Sequence, residues 1–152
     1  MEQFLADYGY FALFSMSFLA STLIPLGSEW LLIAMLLNRH EPAMVVTVAS
    51  IGNYLGACTS FLIGIYGGPL LIHKVLRISD HDQARAMRLY SRYGSLSLLF
   101  SWLPVIGDPL CLIGGVLRIS FARFSLLVFS CKLTRYAIVA YLTLKTMAVA
   151  SP

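Results

Sequence analysis

Ile24-Pro25-Leu26-Gly27-Ser28-Glu29 is a proline-broken turn ending in an acid, set inside an apolar segment that runs from about Tyr8 to Leu37. Proline lacks an amide hydrogen and frees carbonyls one turn back, and the nearby glycine loosens the backbone further. Broken backbone at membrane depth persists only where protein or a water-filled cavity satisfies it. About 79 positions on, Leu103-Pro104-Val105-Ile106-Gly107-Asp108 repeats the pattern. Glu29 falls on Asp108, Leu31 on Leu110, Ile33 on Leu112 and Arg39 on Arg118. Glu29 and Asp108 are also the only two of the seven acids that lie inside apolar segments. Paired broken segments in corresponding halves are how transporters build a site near the bilayer midplane. Both stretches therefore read as re-entrant hairpins: a helix in, a turn at the Pro-acid motif, a shorter helix out.

Composition agrees with lipid as the solvent. Of 152 residues, 59% are hydrophobic and only 12% charged, and mean hydropathy is +0.80. An ordinary soluble domain carries about 25% charged residues, so soluble enzymes, nucleic-acid binders and disordered chains are poor fits. The net charge of +4 sits mainly between apolar segments, where cations face anionic headgroups rather than nucleic acid. Cys58, Cys111 and Cys131 lie in apolar stretches without CxxC spacing and read as small hydrophobes. Glu2 and Asp7 stand where a secretory signal has cations, so the N-terminus reads as retained.

Two further apolar segments, 43–72 and 124–150, are long enough to span a membrane, which takes about 20 residues. Between the halves lies a polar stretch, 73–92, with Lys74, Arg77, Arg85, Arg88 and Arg92. Ser79 and Asp82 form a capping-box start and Gly94 a stop, so a short amphipathic helix is expected there, on the cytoplasmic side. If the third apolar segment (93–117) turns back, Arg118 and Arg123 return to that same side. The expected fold is an all-α integral membrane protein of one domain: repeat 1 over 8–72, a basic linker helix over 73–93, and repeat 2 over 94–150. The two re-entrant hairpins and two transmembrane helices form an inverted repeat.

The motifs Ser-Thr-Leu-Ile-Pro-Leu-Gly-Ser-Glu (21–29), Gly-Asn-Tyr-Leu-Gly (52–56), Arg-Tyr-Gly (92–94), Ser-Trp-Leu-Pro-Val-Ile-Gly-Asp-Pro-Leu-Cys-Leu (101–112) and Lys-Leu-Thr-Arg-Tyr (132–136) occur in order. Together they resemble the short YqaA-type branch of the DedA family, whose domain is also called VTT or SNARE-associated. The resemblance implies a bacterial inner-membrane, multi-pass protein with facing re-entrant hairpins. From better-studied members it also implies translocation of undecaprenyl phosphate or phospholipid between leaflets, with proton coupling. Glu29 matches the family's membrane-embedded acid. The family's second motif usually carries an Arg a few residues after the proline, where this chain has Gly107-Asp108.

An ionised carboxylate in apolar surroundings must pair with a cation or take up a proton. Glu29 and Asp108 are thus candidate proton-coupling or cavity acids; the plainer alternative makes them static counter-ions. Lys132 and Arg135 lie at i and i+3 on one helix face. Arg135 is assigned to a phosphate headgroup, with Lys132 and Arg118 as further headgroup-binding cations. Pro25, Gly27, Ser28, Asn53, Pro104 and Gly107 are expected to line the hairpins and cavity. Arg39 and Arg118 end their hairpins near an interface. Gly52, Gly56, Ser60 and Gly64 form a small-residue stripe for close helix packing. The aromatics read as interfacial belt residues.

No cofactor, metal, nucleic-acid partner or covalent catalysis is expected. The first reading is a transporter or scramblase-like protein for a phosphate-bearing lipid. The alternatives are a proton-coupled small-solute or ion transporter, and a non-transporting scaffold for envelope assembly. Membrane lipids are the expected partners. Two spanning helices scarcely enclose a headgroup-sized cavity, so a homodimer is also expected.

Overall fold

The computed structural model describes residues 2–21, 28–67, 79–103 and 106–150. Pro25 and Gly27, within 22–27, Pro104, within 104–105, and the 73–78 part of the basic stretch lie outside the described residues. The elements are α1 (Glu2–Ala20), α2 (Glu29–Leu37), α3 (Pro42–Tyr66), α4 (Asp80–Tyr93), a 3₁₀ helix (Gly94–Trp102), α5 (Gly107–Val116) and α6 (Phe121–Ala150). No strand occurs among the described residues.

Among the described residues, two helices are long and apolar enough to span a membrane. At 1.5 Å per residue, the 25 residues of α3 reach about 37 Å and the 30 of α6 about 45 Å, beyond a hydrocarbon core of about 30 Å. Pro42 opens α3 at a position where a missing amide hydrogen costs nothing. Both helices leave large apolar side chains uncovered: Met44, Ile51, Leu55 and Leu62 on α3, and Leu126, Ile138 and Leu142 on α6. The first set recurs at seven, four and seven residues, one apolar helix face left uncovered, as suits lipid.

Contacts fix the directions of the shorter elements. Gly9 of α1 lies against Met35, and Tyr10 meets His40 edge-on at 5.6 Å, so the start of α1 is beside the end of α2. The two helices are antiparallel. Along α3, Gly52 faces Phe14 and Ser17, Gly56 faces Phe18 and Ser21, and the Ser60 hydroxyl donates to Ser21 O at 3.3 Å. These contacts advance together, so α1 and α3 are parallel and in direct contact, and α2 doubles back beside them.

The second half follows the same rule. Gly107, which opens α5, abuts Ser101 near the end of the 3₁₀ helix, while Tyr90 of α4 reaches Leu110 and Gly114 further along α5. Cys131 meets the carbonyls of Leu98 and Leu99, and Arg135 that of Trp102, so the 3₁₀ helix runs parallel to α6. Against each other, α3 and α6 are antiparallel: Tyr54 packs on Phe129 and Phe61 stacks on Phe124 at 4.2 Å.

The repeat extends to the helix ends. After α2, Asn38, Arg39 and His40 donate to Ala34, Leu36 and Met35. After α5, Leu117, Arg118 and Ile119 donate to Ile113, Gly115 and Gly114. Every donor and acceptor is displaced by 79, and both ends are Schellman caps.

Helix α4 begins and ends as expected. Ser79 Oγ accepts the Asp82 amide at 3.2 Å and its hydroxyl donates to the Asp82 carboxylate at 2.7 Å; Gly94 closes the helix at φ 59. It is not a detached surface helix, however. Ala86 and Tyr90 are buried and pack into one core cluster with Leu98, Leu110 and Phe124. Burial pushes the Tyr90 phenol above its usual range and keeps its hydroxyl protonated, donating to Leu110 O at 2.9 Å. Shifted by 79, α1 covers 81–99, so α4 and the 3₁₀ helix together take the place that α1 fills alone.

Two other expectations change. Phe61, Phe124 and Tyr136 are fully buried, so these aromatics hold the core rather than an interfacial belt. The small-residue stripe packs as expected but serves two neighbours: Gly52, Gly56 and Ser60 admit α1, whereas Gly64 admits α5 at Gly115.

Candidate functional site

Both membrane acids stand in the first turn of a half-helix, Glu29 opening α2 and Asp108 near the start of α5. Unpaired amides at a helix start favour negative charge, so each carboxylate sits where the backbone assists it. Each is also paired. Arg135 binds Glu29 through Nη2, and Lys132 Nζ lies 3.6 Å from Asp108 Oδ1.

The two cations project from adjacent turns of α6. Lys132 comes eleven residues after Phe121, about 16 Å along the helix and far from either of its ends. It is only 2% exposed. A lysine so deep and so enclosed cannot extend its ammonium to the interface, so Asp108 compensates its charge.

Contacts from both hairpins converge on this stretch of α6. From the first, the Ser21 hydroxyl donates to Asp108 Oδ1 at 3.0 Å, and the Ser28 and Tyr136 hydroxyls bond to each other. From the second, Trp102 O accepts from Arg135 Nη1 at 3.3 Å. Residues flanking the two turns, 21 and 28–29 on one side, 102 and 108 on the other, thus meet at 132–136. Glu29–Arg135 and Ser21–Asp108 both join one half to the other. The Glu29–Arg135 ion pair and the Ser21–Asp108 bond therefore tie the halves together.

The expected site residues divide accordingly. Glu29, Asp108, Lys132, Arg135 and Ser28 come together, and Gly107 starts the helix that carries Asp108. Arg118 does not join them; it lies past the far end of α5, ten residues from Asp108. Asn53, the counterpart of Lys132, is buried against α1 with Nδ2 donating to Ser17 O at 3.0 Å. Its Oδ1 and the Ser17 hydroxyl have no partner among the described residues. Sequence reasoning gave no role to Ser21, Tyr136 or the Trp102 carbonyl. Ser21 and Tyr136 begin and end recognisable motifs, but a backbone carbonyl leaves no trace in a sequence.

Arg135, though mostly enclosed, also borders the surface. An open, largely apolar groove of about 390 Å³ runs along the flank of α6, lined by Leu99, Trp102, Thr134 and Ile138 with Arg135 among them. The site thus sets the arginine that pairs with Glu29 on the wall of an open apolar groove.

A family profile for the VTT domain matches residues 24–144. The chain is 39% identical over 138 residues to "Inner membrane protein YqaA" of Escherichia coli K12, covering 90% of this chain and 92% of that one. It is 34% identical to an uncharacterized protein of Haemophilus influenzae, covering 86% and 85%. It is 25% identical to "Uncharacterized membrane protein YbfM" of Bacillus subtilis, covering 76% of each. No solved structure matches at a significant level.

Proposed function

The chain belongs to the VTT-domain, or DedA, family of inner-membrane proteins, and from that premise we propose that it moves a phosphate-bearing lipid between leaflets. The observation that carries this reading is Arg135 in its lateral apolar groove. A lipid differs from a soluble anion in needing a path for a charged head and an uncharged tail together. Here a guanidinium fork, suited to two phosphate oxygens, adjoins an apolar channel that can hold an acyl or isoprenoid chain in lipid.

In this reading the halves are re-entrant hairpins that enter from opposite faces. The antiparallel course of α3 and α6 and the doubled-back α2 and α5 support it. Glu29 is the competitor for Arg135. While ionised, it occupies the guanidinium; when it takes a proton, the fork is released to the lipid phosphate. Proton uptake and headgroup binding are thereby linked through one side chain. Asp108–Lys132 is the structural partner of this exchange, holding α5 against α6 while the other pair opens.

The test is transport of an acyl-labelled phosphatidylglycerol in reconstituted vesicles. Arg135→Gln is expected to reduce flipping at least tenfold, the loss of one charge-assisted contact of about 1.5–3 kcal/mol. Glu29→Gln mimics the protonated acid and is expected to retain flipping while abolishing its pH dependence. Movement of ions without lipid would favour the small-solute reading. Unchanged flipping in Arg135→Gln would remove Arg135 from the path, and a wild type that moves neither lipid nor ions would leave the scaffold.

A further inference from the structure

Arg39 and Arg118 occupy matching places, and neither place suits arginine. Each is the residue past the end of a half-helix, at φ 60 and φ 50 respectively. Side chains adopt that left-handed conformation at a cost, and glycine takes it freely, which is why glycine dominates this cap position. The cap bonds at both ends are backbone to backbone, so neither needs the arginine side chain. A cation does favour a helix C-terminus, but Asn38 and Leu117, one residue earlier, offer nearly that benefit with negative φ.

Among the described residues neither guanidinium serves the fold in another way. Both residues are exposed, and among the described residues neither guanidinium donates to a carboxylate or a carbonyl. The spanning helices α3 and α6 start just beyond Arg39 and Arg118 and run antiparallel. The two arginines therefore stand at opposite ends of the bundle, each where a spanning helix meets a membrane face.

We propose that Arg39 and Arg118 are headgroup stations, one per leaflet, each holding the phosphate of an anionic lipid as it enters or leaves the path. This rests on the lipid-translocating reading above. A path between leaflets needs a landing place at each end. An inverted repeat supplies the same residue at both ends, and two strained backbones persist because glycine offers no charge.

The experiment compares wild type with Arg39→Gly, Arg118→Gly and the double variant, and with Arg39→Gln plus Arg118→Gln. It reads melting temperature in detergent, retention of added phosphatidylglycerol against phosphatidylcholine and against inorganic phosphate, and flipping in vesicles. Relief of a strained cap is expected to raise Tm by about 2–4 °C per glycine. Each single glycine variant loses part of the bound phosphatidylglycerol, and the double variant loses most of it and flips more slowly. The glutamine double variant loses lipid equally without the gain in Tm. Inorganic phosphate neither competes nor binds comparably, since the station is a leaflet site.

Glycine variants that are more stable and retain and flip lipid normally would overturn the proposal, as would glycine variants that melt lower. If wild type flips nothing, the translocation reading fails alone, and the headgroup stations stand or fall on lipid retention.

Discussion

Replacing Lys132 with methionine is expected to destabilise the folded protein by about 3–5 kcal/mol, the usual cost of leaving one member of a buried ion pair uncompensated. Lys132 is almost completely enclosed, and the carboxylate it faces, Asp108, belongs to the short helix that must return against α6. Without the ammonium, Asp108 keeps the Ser21 hydroxyl but no counter-charge. Replacing both partners, as Lys132→Met with Asp108→Asn, should recover most of the loss, because the double change leaves no unpaired charge. Unfolding in detergent completes the cycle with Asp108→Asn alone. A coupling between the two positions below about 0.5 kcal/mol, typical of independent sites, would mean that this pair does not hold α5 in place.

The crossing of α3 and α5 should be nearly as sensitive, for a steric reason. A methyl group added at Gly115 runs into the Phe61 carbonyl, and one at Gly64 runs into the Leu112 carbonyl. Both obstacles are backbone atoms, which cannot swing aside as a flexible side chain can. Gly64→Ala and Gly115→Ala are each expected to cost about 1–3 kcal/mol, and bulkier replacements more. Since both act at one crossing, the double alanine variant should cost less than the sum. The melting temperatures of the three variants measure this. Alanine at either position without a loss in Tm would show that the helices do not approach so closely.

Much of this arrangement is legible in the sequence because lipid narrows the choices. The two Pro-acid motifs mark where helices break, the 79-residue displacement pairs them, and Ser79, Asp82 and Gly94 set both ends of α4. The i, i+3 spacing places Lys132 and Arg135 on one face. Which acid each would take depends on the relative placement of hairpins far apart in sequence, and nothing local encodes that. The core role of α4 was hidden because Ala86 and Tyr90 are two apolar residues among Arg85, Arg88 and Arg92. The 3₁₀ course of Gly94–Trp102 was hidden too, since its composition matches that of an ordinary apolar helix. The left-handed caps at Arg39 and Arg118 run against residue preference, and only the backbone shows them.

Sidedness of single cysteines is the most direct test of the inverted hairpins. In a variant with Cys58, Cys111 and Cys131 replaced, cysteine is placed in turn at Asn38, Ser91 and Ser120, all exposed, and labelled in oriented membranes with an impermeant thiol reagent. Positions 91 and 120 should react from the cytoplasmic side and position 38 from the opposite side. Reaction of position 120 from the same face as position 38 would mean that the second broken segment crosses the bilayer, which contradicts the account.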